Sequence, residues 1–72
     1  MKANEALSGH IDTLFETDPA EARRLVRSIK ARCNISSAVY SNWRRGLTPI
    51  RKIYRDEITR IIGVDIFENV TN

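Results

Sequence analysis

Ile29-Lys30-Ala31-Arg32-Cys33-Asn34-Ile35-Ser36-Ser37-Ala38-Val39-Tyr40-Ser41-Asn42-Trp43-Arg44-Arg45-Gly46 holds a helix end, a turn and a complete second helix. Asn34 tolerates the left-handed backbone that closes a helix, so the preceding segment should stop there. Ile35 can turn inward, and Ser36 can cap a new helix by accepting from the amide near Val39. A very tight helix-to-helix turn is therefore predicted. Between Ser37 and Arg45, at 100° per residue, Val39, Tyr40 and Trp43 fall within one arc of about 100° and are the expected core positions. The remaining arc carries Arg44, Ser37, Ser41, Arg45, Ala38 and Asn42. All are short and polar, small or cationic, and nothing there wants burial. Gly46 ends the helix.

Upstream, Asp18, Pro19 and Glu21 form a start signal: Asp accepts from orphan amides, Pro already has helical φ, and Glu reaches back to the cap. The helix that begins there keeps Ala22, Leu25, Val26, Ile29 and Cys33 for the core and turns Arg23, Arg24, Arg27, Lys30 and Arg32 elsewhere. Before it, Leu7, Ile11, Leu14 and Phe15 give Glu5 to Glu16 a helical stripe. Downstream, Thr48 and Pro49 should start a fourth helix whose stripe, Ile50, Ile53, Tyr54, Ile58, Ile61 and Ile62, runs to Gly63. Asp65 and Glu68 stand at capping-box spacing and predict a short fifth helix, with Ile66, Phe67 and Val70 over the core. No strand pattern, internal repeat or linker is present. The fold class expected is all-α, a compact bundle of four to five helices forming a single domain over residues 1–72.

Seventy-two residues with 42% hydrophobic and 29% charged side chains lie in the globular range. A chain of this size buries only about 60% of its unfolded surface, which leaves no room for a cleft between lobes and excludes a multi-domain enzyme. The single Cys33 has no disulfide partner and no Cys or His at metal-ligand spacing; on an apolar face it should behave as a small hydrophobe. His10 has no acid–base partner or second ligand in view. With no glycine-rich phosphate loop and no paired carboxylates in the basic region, no nucleophile, base or metal cluster is recognisable. No catalytic residue, cofactor, metal or small-molecule substrate is expected. No apolar run reaches the ~18–20 residues of a membrane span, and no basic segment precedes an apolar one at the start, so a cytoplasmic protein is expected.

The net charge of +3 hides an asymmetry. Met1 to Ala22 carries one cation against five acids, and Asp56 to Asn72 one against four. Between them, Arg23 to Arg55 holds ten cations and no acid. An ordinary solvated face mixes signs; the missing acids point to a polyanionic partner, nucleic acid first.

The quoted run resembles the helix-turn-helix of the phage-repressor (Cro/CI, XRE-like) DNA-binding domains, whose motif would cover about residues 26–45. In that family an apolar residue and a turn residue precede a capped helix that ends in tryptophan or leucine followed closely by glycine. A further amphipathic helix then ends in glycine-valine. Ser36, Asn42-Trp43, Gly46 and Gly63-Val64 match, and the likeness extends over roughly Glu21 to Phe67. Two positions depart from it: Lys30 stands where alanine is usual, and Asn34 replaces the common turn glycine. The lysine stem would have to lie along the helix pair with its charge reaching solvent or phosphate.

The resemblance implies a lambda-repressor-like fold and a sequence-preferring double-stranded DNA binder, a transcriptional regulator inserting the helix 37–45 into the major groove. Carried over by position, the base-reading sites fall on Ser37, Ala38 and Asn42, with Ser41 on the same arc. Asn42 suits adenine, the serines donate or accept with little preference, and Ala38 suits a thymine methyl. Arg45 could read guanine or hold a phosphate. Phosphate contacts are expected from Arg44, Thr48, Arg51, Lys52 and Arg55, and from Arg23, Arg24, Arg27 and Lys30 on the preceding helix. A homodimer on two half-sites about one turn apart is implied, with Val64, Ile66, Phe67 and Val70 either its surface or core cover. Trp43 and Tyr40 share the core arc and are read as structural rather than as a base-stacking platform. The competing function is a protein–protein adaptor whose basic face docks an acidic partner, since fold alone does not fix function.

Overall fold

Four helices make up the regular structure of residues 1–70, the part of the chain that a computed structural model describes: α1 (Ala3–Thr17), α2 (Pro19–Arg32), α3 (Ser37–Arg45) and α4 (Lys52–Ile62). The described residues form no strand. Asp18 serves two helices. Its amide donates to the Leu14 carbonyl and closes α1, and its carboxylate accepts from the Glu21 amide at 3.2 Å, capping α2 as Pro19 opens it.

The turn follows from Asn34, whose φ is +54°. In that conformation the Ile35 amide donates back to the Lys30 carbonyl at 3.0 Å and the Asn34 amide to Ala31 at 3.3 Å, the paired closure of a Schellman motif. Two residues later the Ser36 hydroxyl accepts from the Val39 amide at 3.2 Å and starts α3. Gly46, at φ +75°, repeats the closure at the far end: Leu47 donates to Asn42 and Gly46 to Trp43.

α1 packs on α2 and α3, and α2 packs on α4. Ala3, Leu7 and Ile11 of α1 meet Leu25, Ile29 and Cys33, with Trp43, Ile50, Ile58 and Phe67 completing the buried cluster. The radius of gyration, 11.1 Å, is what a compact chain of this length has, about 11 Å. Trp43 is 2% exposed and meets Tyr54 at 5.2 Å between ring centroids, tilted by 54°.

Five expectations are corrected. α4 begins at Lys52, not at Thr48–Pro49. The preceding stretch bends at Leu47–Thr48 and stays outside the helix to an extended Arg51: Ile50 is buried, and the Thr48 carbonyl accepts from the Asn4 side chain of α1 at 2.8 Å. These long-range ties outweigh the local Thr-Pro signal. No fifth helix forms among the described residues; Ile66–Asn69 make turns. The Asp65 carboxylate accepts from the Phe67 amide two residues on, at 2.8 Å, which favours a turn over a helix too short to repay its nucleation. Phe15 is 38% exposed: it continues the line of Ala3, Leu7 and Ile11 into the last turn of α1, where Leu14 rather than Phe15 packs against the core. Ile53 is 74% exposed, on the outer side of α4. Val39 is 37% exposed, because α3 is rotated about its axis toward Arg44.

Candidate functional site

α3 is held on one side and open on the other. Trp43 anchors it in the core. Its last carbonyls, which a helix leaves without internal partners, are met by α1: Asn4 Nδ2 donates to the Trp43 carbonyl at 2.9 Å and Ser8 Oγ to the Arg44 carbonyl at 3.2 Å. Arg44 answers from α3. Its Nε donates to Ser8 Oγ at 3.1 Å and its Nη1 to the Tyr40 hydroxyl at 3.2 Å, and the guanidinium pairs with Asp12.

These bonds turn the Tyr40–Arg44 side of α3 toward α1. The buried arc is therefore centred about 40° from the one that Val39, Tyr40 and Trp43 define, which moves Val39 to the surface. Ser37, Ala38, Ser41 and Arg45 are exposed and Asn42 is half-buried. The candidate base readers thus share the outward side of one helix. Arg44 sits apart from them: its side chain is 25% exposed and its donors are engaged within the fold.

Lys30 is accommodated as its length permits. It is half-buried, its Nζ donates to Ser37 Oγ at 3.3 Å, and it lies 6.0 Å from the centroid of the Tyr40 ring. The other cations divide by partner. Arg24 pairs with Glu21, Lys52 with Asp56 at 3.0 Å, and Arg55 donates to the Ile50 carbonyl at 2.8 Å. Arg23, Arg27, Arg45 and Arg51 are exposed and make no ion pair among the described residues. Thr48 is exposed at its side chain. On the α2–α4 side, Glu57 accepts from Arg60 at 2.7 Å and from Arg32 at 3.2 Å, and these two guanidinium bonds hold its carboxyl below the usual glutamate range. Burial, then Glu57 nearby, pushes the Cys33 thiol above the ordinary range.

An open cleft of about 580 Å³ lies between the starts of α1 and α4, with Lys2, Arg51, Lys52 and Arg55 around an apolar floor of Ala3 and Ile50. Lys2, Asn4 and Ser8 are the contributors to this region that sequence reading left aside. Asn4 and Ser8 stand one helical turn apart on either side of Leu7, a faint signal that only the α3 carbonyls make specific. No group of three or more metal-ligating side chains forms among the described residues, and no helix there is long and apolar enough to cross a membrane. No family model, curated protein or solved structure matches this chain, so the helix-turn-helix likeness stands on its own residues.

Proposed function

We propose that this chain is a helix-turn-helix, double-stranded DNA-binding protein that acts in transcriptional regulation, with α3 laid in the major groove. The observation that carries this reading is the division of α3: Trp43 and Arg44 fix its inner side, while Ser37, Ala38, Ser41 and Arg45 face outward from a stretch that contains no acid. A helix so presented offers base edges hydroxyls, the Asn42 amide and a methyl. The exposed Val39 adds a second apolar contact for thymine.

Affinity comes chiefly from phosphate contacts. Arg23, Arg27 and Lys30 lie on α2, Arg45 ends α3, and Arg51 and Lys52 open α4. Six neutralised phosphates give a log–log salt slope of roughly −5. With so few base contacts, DNA shape supplies part of the sequence preference.

The test is selection from a random duplex library followed by anisotropy titration of the recovered sequence, a scrambled duplex and polyglutamate. A recovered motif, with tighter binding to it than to the scrambled duplex at about 0.15 M salt, supports the reading. Equal affinity for all three polyanions transfers the basic face to an acidic protein partner. Absence of duplex binding at ~50 mM salt overturns the proposal.

A further inference from the structure

Ile53, Glu57 and Arg60 recur at i, i+4 and i+7 and share one face of α4. Val64 stands four residues further on, just past the closure at Gly63. Ile53 and Val64, at 74% and 65% exposure, are the two most exposed large apolar side chains among the described residues. Between them in sequence lies the Glu57–Arg60 ion pair, with Arg32 of α2 on the same carboxylate. Beside Ile53 is a hollow of about 350 Å³, lined also by Cys33 and Tyr54 and rimmed by Arg32, Glu57 and Arg60.

The order apolar, anion, cation, apolar is complementary to its own reverse. Positions 53 and 64, and likewise 57 and 60, are symmetric about the bond between Ile58 and Thr59. We infer that this face joins two copies of the chain, α4 against α4, antiparallel about a two-fold axis beside Ile58–Thr59. Val64 of each copy enters the hollow beside Ile53 of the other, and Glu57 of each faces Arg60 of the other.

An isologous contact demands that one patch carry both a projection and its recess, and both an anion and its cation. This patch carries all four. The tail earlier considered as a dimer surface is otherwise engaged: Phe67 is buried, and Ile66 and Val70 pack against the core, leaving only Val64 outward. A contact the length of α4 lies at or below the small end of specific interfaces, about 1,200 Å², so association belongs to the micromolar range or weaker. The inference does not rest on DNA binding, and its test contains no nucleic acid.

Sedimentation equilibrium of the full chain, from about 5 μM to about 1 mM, should show the weight-average mass rising from near 8.3 kDa toward twice that value. Ile53→Glu should remain at 8.3 kDa with the same melting temperature at low concentration, since its side chain is mostly in water. The register is read by oxidising Ile53→Cys and Val64→Cys chains in a Cys33→Ala background. The mixture should yield the mixed disulfide, and neither variant alone a dimer, because like positions are about 16 Å apart along the antiparallel helices. A mass fixed at 8.3 kDa, an Ile53→Glu dimer as strong as the parent, like-with-like cross-linking, or no mixed disulfide would each overturn the inference.

Discussion

Arg44 and Arg45 are neighbours of the same residue type, yet only Arg44 is engaged within the fold, and under the proposed DNA-binding reading replacing each by alanine should separate stability from binding. Arg44 makes two part-buried hydrogen bonds, to Ser8 Oγ at 3.1 Å and the Tyr40 hydroxyl at 3.2 Å, and pairs with Asp12. Each hydrogen bond contributes about 1 kcal/mol, and the pair with exposed Asp12 adds at most about 0.5 kcal/mol. Arg44→Ala should therefore cost about 2 kcal/mol, which lowers the melting temperature of a domain this small by roughly 10 °C. Its salt slope on duplex DNA, measured well below the melting transition, should be unchanged. Arg45 is exposed and bonds to nothing described, so Arg45→Ala should leave the melting temperature within about 2 °C. Duplex binding should weaken, either with a salt slope smaller by about 0.9 if Arg45 holds a phosphate, or with lost preference at one base pair if it reads guanine. The assays are thermal unfolding by circular dichroism and anisotropy titration over a salt series. An Arg44→Ala protein that melts like the parent, or an Arg45→Ala protein that binds like it, refutes the division of labour.

Asn4→Ala removes both the Trp43 and the Thr48 carbonyl contacts, and a loss of about 1–2 kcal/mol in urea unfolding is expected, although the residue lies about forty positions from its partners. At Gly46 an added Cβ would meet nothing within 4 Å, so Gly46→Ala isolates the cost of φ +75°: about 1–2 kcal/mol, with no rearrangement of α3 in amide chemical shifts. Glu57 is held below its ordinary range by Arg60 and then Arg32, so its share of stability is full above that range and fades as pH falls through the folded value. The urea midpoint should drop as the solution is acidified below the ordinary glutamate range, and Glu57→Gln should flatten that part of the profile; an unchanged profile would remove the clamp from the account.

The features legible in the sequence are those whose physics closes within a few residues. Asp18-Pro19, Asn34, Ser36, Gly46 and Gly63 each start or terminate a helix by hydrogen bonds spanning five residues or fewer, and each does so in the structure. The errors arise where distant groups compete. Thr48-Pro49 is a sound local start for a helix, yet the Asn4 bond to Thr48 and the burial of Ile50 keep that stretch out of the helix until Arg51. Ile53 satisfies the periodicity of α4 and still faces water, because the core takes Ile58 with Tyr54, Ile61 and Ile62 packed around it.

The candidate site turns on the same distinction. Angular arithmetic on α3 correctly gives Trp43 to the core but leaves the rotation of the helix open, since an arc of three apolar residues slides by tens of degrees without losing its anchor. What fixes the rotation is polar and non-local: Ser8 and Asp12 of α1 take the Arg44 guanidinium, which counts as a surface group in any reading by composition. The turn of about 40° carries Ala38 to the middle of the outward side with Arg45 about 30° to one side of it, draws Ser37 to the edge beside Lys30, and releases Val39 at the other edge. Under the DNA-binding reading, the centre of the contacting surface thus shifts from Arg45 to Ala38. Val39→Thr, which keeps the shape and places a hydroxyl at that edge, should change preference at a thymine-bearing step by up to about 1 kcal/mol without altering the melt. The same selected motif from parent and variant would mean that Val39 lies outside the groove, and that the rotation has been drawn too far.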